Sequence, residues 1–424
     1  MRMATCHCFG VHTNETKENS NMNTENLTVT IVGGGSSAHT LIPLLSSSNY
    51  TVNLLTRKPG RWSKKVELQY QATNGDIKER FYGKLNKISS DPKDVIPEAD
   101  VIFLCMPVSK YRNALHRLAP HLNKEKDVSV GTVFGQAGFN WMVDEIKETF
   151  DLENIITFSF GLIPWICRVR EYGKVGITYG VKPINIAAVE PKEKFDVLNK
   201  TIFEKVCLDW FGKGAFKQAG SFLALTFSVD NQIIHPARCY GLYKRYGGEW
   251  DKQEDIPFFY NDFDQLSADM LTKLDADYSK IRKGIRDKYP DKKFTYMLDY
   301  LALDRYTNKT KKYSVLETFL LSKTLGAIKM PAIKTKAGTW KLDTNHRFFT
   351  DDIHYGLCIA KWVADRLEID VPAIDEIINW AQNLRNETLI EDGKLKLDSE
   401  DLSQKFKSGI PHFYGFRTID AIMD

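Results

Sequence analysis

The chain has 424 residues, 43% of them hydrophobic, with 58 basic and 54 acidic side chains and a net charge of +4. That length exceeds one typical core and predicts two domains, and the ordinary composition excludes a fibrous or wholly disordered protein. The small basic excess argues against a nucleic-acid partner, and no apolar run nears the ~20 residues that cross a bilayer.

Residues 1–26 are polar and rich in Asn, Thr and Glu, and read as a disordered extension rather than a secretory or transit segment. The seven cysteines (6, 8, 105, 167, 207, 239 and 358) are scattered and odd in number. They predict no disulfide framework and a reducing, cytoplasmic setting. Cys6 and Cys8 flank His7 without further ligands, so no metal site is expected. Thr28 to Val32 is β-branched and predicts a buried strand. Gly33, Gly35 and Ala38 follow at G-x-G-x-x-A spacing, with Ser36 opening an apolar helix. This order of strand, glycines and helix suits a dinucleotide. Gly33 allows the tight turn, Gly35 lets backbone approach a pyrophosphate, Ala38 lets the helix pack closely, and the helix start offers free N–H groups. Tyr50 to Thr56 reads as the second strand. Where an acid would bind the ribose of NAD, this chain has Arg57 and Lys58, with Arg61 close behind. Those cations tilt the reading towards NADP(H) and leave NAD(H) open.

Val66 to Phe81 alternates around Asn74-Gly75, a hairpin signal. Val101 to Cys105 is a buried strand closed by Met106-Pro107, a turn expected beside the cofactor. Val128 to Val133, the loop Phe134 to Phe139, a helix from about Trp141 to Phe150 and a strand Ile155 to Phe160 complete the alternation. The expected fold is α/β: a Rossmann-type, doubly wound parallel sheet over 27–205, followed by a mainly helical C-terminal domain over 206–424. In the latter, Leu266, Met270, Leu274, Ile281 and Ile285 mark one helix face, and Tyr355 to Leu367 and Ile374 to Leu384 mark two more.

Chemistry belongs in the cleft between two such domains. His235 precedes Pro236, which is expected to end a helix there. Taken alone, these residues favour a packed or capping histidine. The stretch from Asn345 to Leu357 places Arg347, Asp351 and Asp352 in a short segment expected to be non-helical. Asp352 could be an N-cap and Arg347 a surface ion-pair partner.

With these blocks in view, the sequence resembles the opine dehydrogenases, the octopine/nopaline dehydrogenase family, from about Leu27 to Ile422. The matching blocks are the glycine turn, GQAGF (135–139), IPWICRVREYG (163–173), HPAR (235–238), PFFYNDFDQLSADMLT (257–272), HRFFTDDIHYGL (346–357), INWAQ (378–382) and YGFRTIDAI (414–422). The resemblance is strongest to octopine-type enzymes of marine invertebrates. It implies reductive condensation of an amino acid with a 2-oxo acid, usually pyruvate, through an imine that NAD(P)H reduces to a secondary-amine dicarboxylate. It implies His235 as the catalytic histidine, Asp352 as its paired acid, Arg347 as a carboxylate anchor, and Gln136 in the loop that places the oxo acid. The partners implied are small molecules alone, with no nucleic acid or membrane, in a monomer or homodimer. One departure is Gly161-Leu162 before Ile163-Pro164-Trp165, where family members often carry Glu-Thr. Two other readings compete: a 3-hydroxyacid or ketopantoate-type NADP reductase, which relies on a lysine, and a non-catalytic nicotinamide sensor.

Overall fold

The computed structural model describes residues 26–320, 328–404 and 406–423. Apart from Asn26, the polar extension with Cys6, His7 and Cys8 lies outside them. In chain order the first half runs β1 (Thr28–Gly33), α1 (Ser36–Ser47), β2 (Thr51–Leu55), β3 (Lys65–Gln71), β4 (Ile77–Ser89), β5 (Val101–Cys105), α2 (Tyr111–Leu118), β6 (Val128–Thr132), α3 (Phe139–Phe150) and β7 (Ile155–Phe160). Six strands pair in parallel in the order β4-β2-β1-β5-β6-β7. This is the doubly wound order, with its crevice where β1 meets β5.

The sheet is larger than expected and only its centre is wholly parallel. Beyond β4 lie β3, β9 (Val175–Val181) and β8 (Trp165–Glu171), and beyond β7 lie β10 (Ile184–Glu190) and β11 (Ala215–Gln218). The β3–β4, β8–β9 and β7–β10 pairs are antiparallel. The β3–β4 and β8–β9 connections are too short for a crossover and turn at Gly75 and Gly173, both at positive φ, whereas β7 reaches β10 only after the β8–β9 hairpin. Because β11 pairs with β10, residues 206–218 go with the sheet, past the boundary expected at 205.

Central strands are buried on both faces, which explains unbroken runs such as Val101–Cys105. Val29, Ile31, Leu54 and Phe103 face a core shared with α1. Val32, Leu55, Ile102 and Leu104 face the other core, which continues without a break into the helical half. One cleft therefore borders both halves.

Two expectations about the helical half need correction. The helix carrying His235 runs Asn231–Tyr246, with Pro236 inside it. A proline this near the start costs one backbone bond, and the buried face along Ile233, Ala237 and Leu242 holds the helix together. Gly241 lets the long helix Gln265–Lys288 pass at contact: a Cβ there would lie 2.3 Å from Ser267 Oγ. Leu266, expected on the apolar face, instead lies at the solvent-facing start of that helix, while Met270, Leu274, Ile281 and Ile285 are buried. The segment expected to be non-helical holds a short helix, Arg347–Thr350, and then a π-helical turn, Ile353–Leu357, leading into Cys358–Arg366. Among the described residues no helix is long and apolar enough to cross a membrane. No cluster of three or more His, Cys, Asp and Glu among them could hold a metal ion.

Candidate active site

A cleft of about 820 Å³ opens at the crevice and extends to the helical half. At its cofactor end lie Gly33, Gly34, Gly35 and Ser36. Gly33 has φ +119°, and a Cβ on it would meet the Cys105 carbonyl oxygen at 2.3 Å. The turn therefore exists because β5 crosses directly beside it. Helix α1 starts at Gly35 with no side-chain cap and no acid in its first turn, so its N–H groups and positive end face the cleft unpaired. Ala38 is fully buried behind them. Met106 and Pro107 form the wall beyond β5. These residues fit a dinucleotide pyrophosphate. At the far edge Arg57, Lys58 and Arg61 line the cleft with Ser90 and Arg117. The Arg61 guanidinium sits over the Tyr172 ring at 4.6 Å. Among the described residues the only acids lining the cleft are Asp351 and Asp352, which belong to the opposite, helical half.

That half supplies an acid–base pair. His235 Nδ1 and Asp352 Oδ2 are 2.7 Å apart and both residues are buried. The ring stacks on Phe348 at 3.8 Å between centroids, and Phe259 meets its edge at 5.4 Å, which fixes its plane. Asp352 reaches the imidazole because it sits at the junction between the short helix and the π turn, a wide turn common at functional sites. There the Leu357 N–H donates to its carbonyl at 2.9 Å.

Burial pushes the imidazole well below its usual range, and the Arg347 and His346 charges push the same way. Burial also drives the Asp352 carboxyl well up, aided by Asp351 and opposed by Arg347. Both directions favour a pair with no net charge. Such a pair keeps one proton on the Nδ1–Oδ2 line and one on Nε2, and Nε2 has no protein partner among the described residues. Asp351 accepts a hydrogen bond from the Ser109 N–H across the cleft at 3.4 Å, and burial raises its carboxyl.

Arg347 lines the same end. No side-chain hydrogen bond or ion pair holds it among the described residues. Gln136 is placed differently from the expectation. It is fully buried behind the cleft wall and lines a separate small cavity with Gly161, Leu162 and Lys182. Its amide donates to the Ser228 carbonyl, its oxygen accepts from the Asp230 N–H at 3.3 Å, and its carbonyl accepts from Gln232 at 2.8 Å. Gln136 thus fastens the loop after β6 to the start of the His235 helix. Arg168 and Tyr172 also line the cleft but are missed by sequence reasoning. Both lie in the quoted block 163–173, where the Trp165–Cys167 alternation was the available strand signal.

The match to known proteins agrees with this division. Residues 218–385 match the α-helical domain of NAD/NADP octopine/nopaline dehydrogenases, and residues 28–130 match coenzyme F420-dependent NADP oxidoreductases. The chain is similar to the opine dehydrogenases over nearly its whole length. Similar proteins include an opine dehydrogenase of Haliotis discus hannai, 27% identical over 95% of this chain and 99% of that one. A tauropine dehydrogenase of Arabella iricolor is 27% identical over 93% and 99%. The fold matches a structure of octopine dehydrogenase in complex with NADH and agmatine, with a TM-score of 0.78, 23% identity and coverage of 94% and 98%.

Proposed function

We propose that this protein is an opine dehydrogenase that joins an amino acid to a 2-oxo acid, with pyruvate the favoured oxo acid, and reduces the imine to a secondary-amine dicarboxylate. The observation that carries the reading is the buried His235–Asp352 pair beside the unpaired Arg347, in the cleft that ends at the glycine turn. A planar guanidinium takes a carboxylate bidentately, which orients the oxo acid. The α-amino group adds to the carbonyl carbon. His235 Nε2–H then protonates the departing hydroxyl, and water leaves as the C=N bond forms. A bound reduced nicotinamide supplies the hydride to the imine carbon. In the reverse direction neutral Nε2 accepts the proton of the secondary amine. Asp352 holds the tautomer and compensates the imidazolium as it appears.

The test is a panel of amino acids with pyruvate, followed by NAD(P)H absorbance. Consumption that requires both acids is expected. Consumption with the oxo acid alone would mean carbonyl reduction, and no consumption with any pair would favour a nucleotide sensor.

The cofactor reading is NADP(H) ahead of NAD(H), supported by Arg57, Lys58 and Arg61 on an edge of the cleft without acids. Arg57→Asp should then weaken NADPH more than NADH, by about 1.5–3 kcal/mol for a lost phosphate contact. Equal KM values for both nucleotides before and after the change would remove Arg57 from recognition. Arg347→Lys should raise the KM of one acid substrate and leave the nucleotide KM alone, because an ammonium cannot reproduce the planar fork. Unchanged kinetics would dismiss Arg347 as an anchor.

A further inference from the structure

The interior arginines of this protein are paired. Arg112 holds Glu145, Arg238 holds Asp264, and Arg282 holds Asp275. Five arginines line the cleft without a carboxylate among the described residues; Arg57, Arg61 and Arg117 sit at its cofactor edge, and two others remain. One is Arg347, from the helical half. The other is Arg168 on β8, from the sheet half. Arg168 is half-buried beside Ile163, Trp165 and Cys167. Its Nη1 donates to the Cys167 carbonyl at 2.7 Å, which steadies the guanidinium and leaves its remaining donors without an acceptor among the described residues. The acids that line the cleft are both engaged, Asp352 with His235 and Asp351 with the Ser109 amide. A partly desolvated guanidinium against an apolar wall needs an anion, and none comes from the described residues.

We propose that Arg168 is a second carboxylate anchor, facing the cleft from the opposite half to Arg347, so that each carboxylate of a secondary-amine dicarboxylate meets its own guanidinium. This rests on the condensation proposed above. It extends that reading to a residue of the sheet half and makes the two halves close on the two ends of one molecule. The position favours substrate over the cofactor phosphates. Tyr260, from the helical half, has its phenol pushed up to about 12, mainly by burial and next by Asp230, and it also feels Arg168, Arg347 and Asp352. Arg168 lines the same cleft as His235, Asp352 and Arg347. One guanidinium alone would leave the second carboxylate of the product without a matching cation beside the acid–base pair.

The test uses the full-length protein with NADPH bound and two probes, 2,2′-iminodipropionate and its monoamides, titrated by calorimetry. Wild type should bind the dicarboxylate about 10–150-fold more tightly than the monoamide lacking the Arg168 contact, the range for a hydrogen bond to a charged group. Arg168→Gln should erase that difference and leave NADPH affinity unchanged, and Arg168→Lys should fall between. Wild-type discrimination surviving in Arg168→Gln overturns the anchor. So does a loss confined to NADPH affinity, which would make Arg168 a phosphate contact. Kinetics separate this proposal from the reaction it rests on. Turnover of pyruvate with an amino acid whose KM values ignore Arg168→Gln leaves the condensation standing and removes the anchor. Arg168-dependent dicarboxylate binding without turnover of any pair keeps the anchor and removes the condensation.

Discussion

His235→Gln should lower kcat by about 10²–10⁴-fold, the contribution typical of a positioned general acid–base group, while nucleotide affinity stays near wild type. Glutamine fills most of the ring's space between Phe348 and Phe259 but cannot hold and release a proton. Asp352→Asn keeps the shape and removes the charge, and should also lower kcat. In the reductive direction the dyad must carry the Nε2 proton, so the rate falls as pH rises through its apparent pKa. Burial already depresses the imidazole. Losing the neighbouring carboxylate removes what favours the imidazolium, so this limb should move to lower pH in the kcat–pH profile. A limb that stays in place would show that Asp352 acts by position alone. Because the two side chains form one hydrogen-bonded unit, the double variant should be little worse than the worse single one. Normal turnover with a lowered melting temperature in His235→Gln would make the histidine a packing residue.

The second large effect concerns folding. Gly33→Ala places a methyl group 2.3 Å from the Cys105 carbonyl oxygen at φ +119°. The obstacle is backbone of a central strand and cannot swing aside. Conformational strain and overpacking together should cost roughly 2–6 kcal/mol, with nucleotide binding lost alongside. Gly60→Ala is the control, since nothing lies within 4 Å of its added Cβ; it should sit within about 0.5 kcal/mol of wild type. Similar unfolding midpoints for both variants would mean that β1 and β5 can part locally.

The parallel centre of the sheet was legible because each of its strands is an apolar run, and the glycine turn because its spacing is tied to its job. Of the outer strands, the β3–β4 hairpin was legible from its Asn74-Gly75 turn, and the others were not. β8 and β9 bury one face only in part, and their residues alternate with charges such as Arg168 and Arg170. Pro236 misled because local sequence carries no record of the long helix that buries its neighbours. Of the site, His235, Asp352 and Arg347 were recognisable from the blocks around them, but their meeting depends on a π turn whose register no periodicity announces. Gln136 illustrates the converse: its block was recognised, and the structure turns its side chain into the seam behind the cleft.

That seam also bears on how such a protein could arise. The nucleotide turn and the acid–base pair lie in different halves, and each half matches a different family model. A sheet of this kind could therefore be inherited almost unchanged while the helical part is exchanged for one that presents other side chains to the same crevice. A chimera built that way would inherit both sets of residues and still be inert unless it rebuilt the stitches between them: Gln136 to the Ser228 carbonyl and the Asp230 amide, and the Ser109 amide to Asp351.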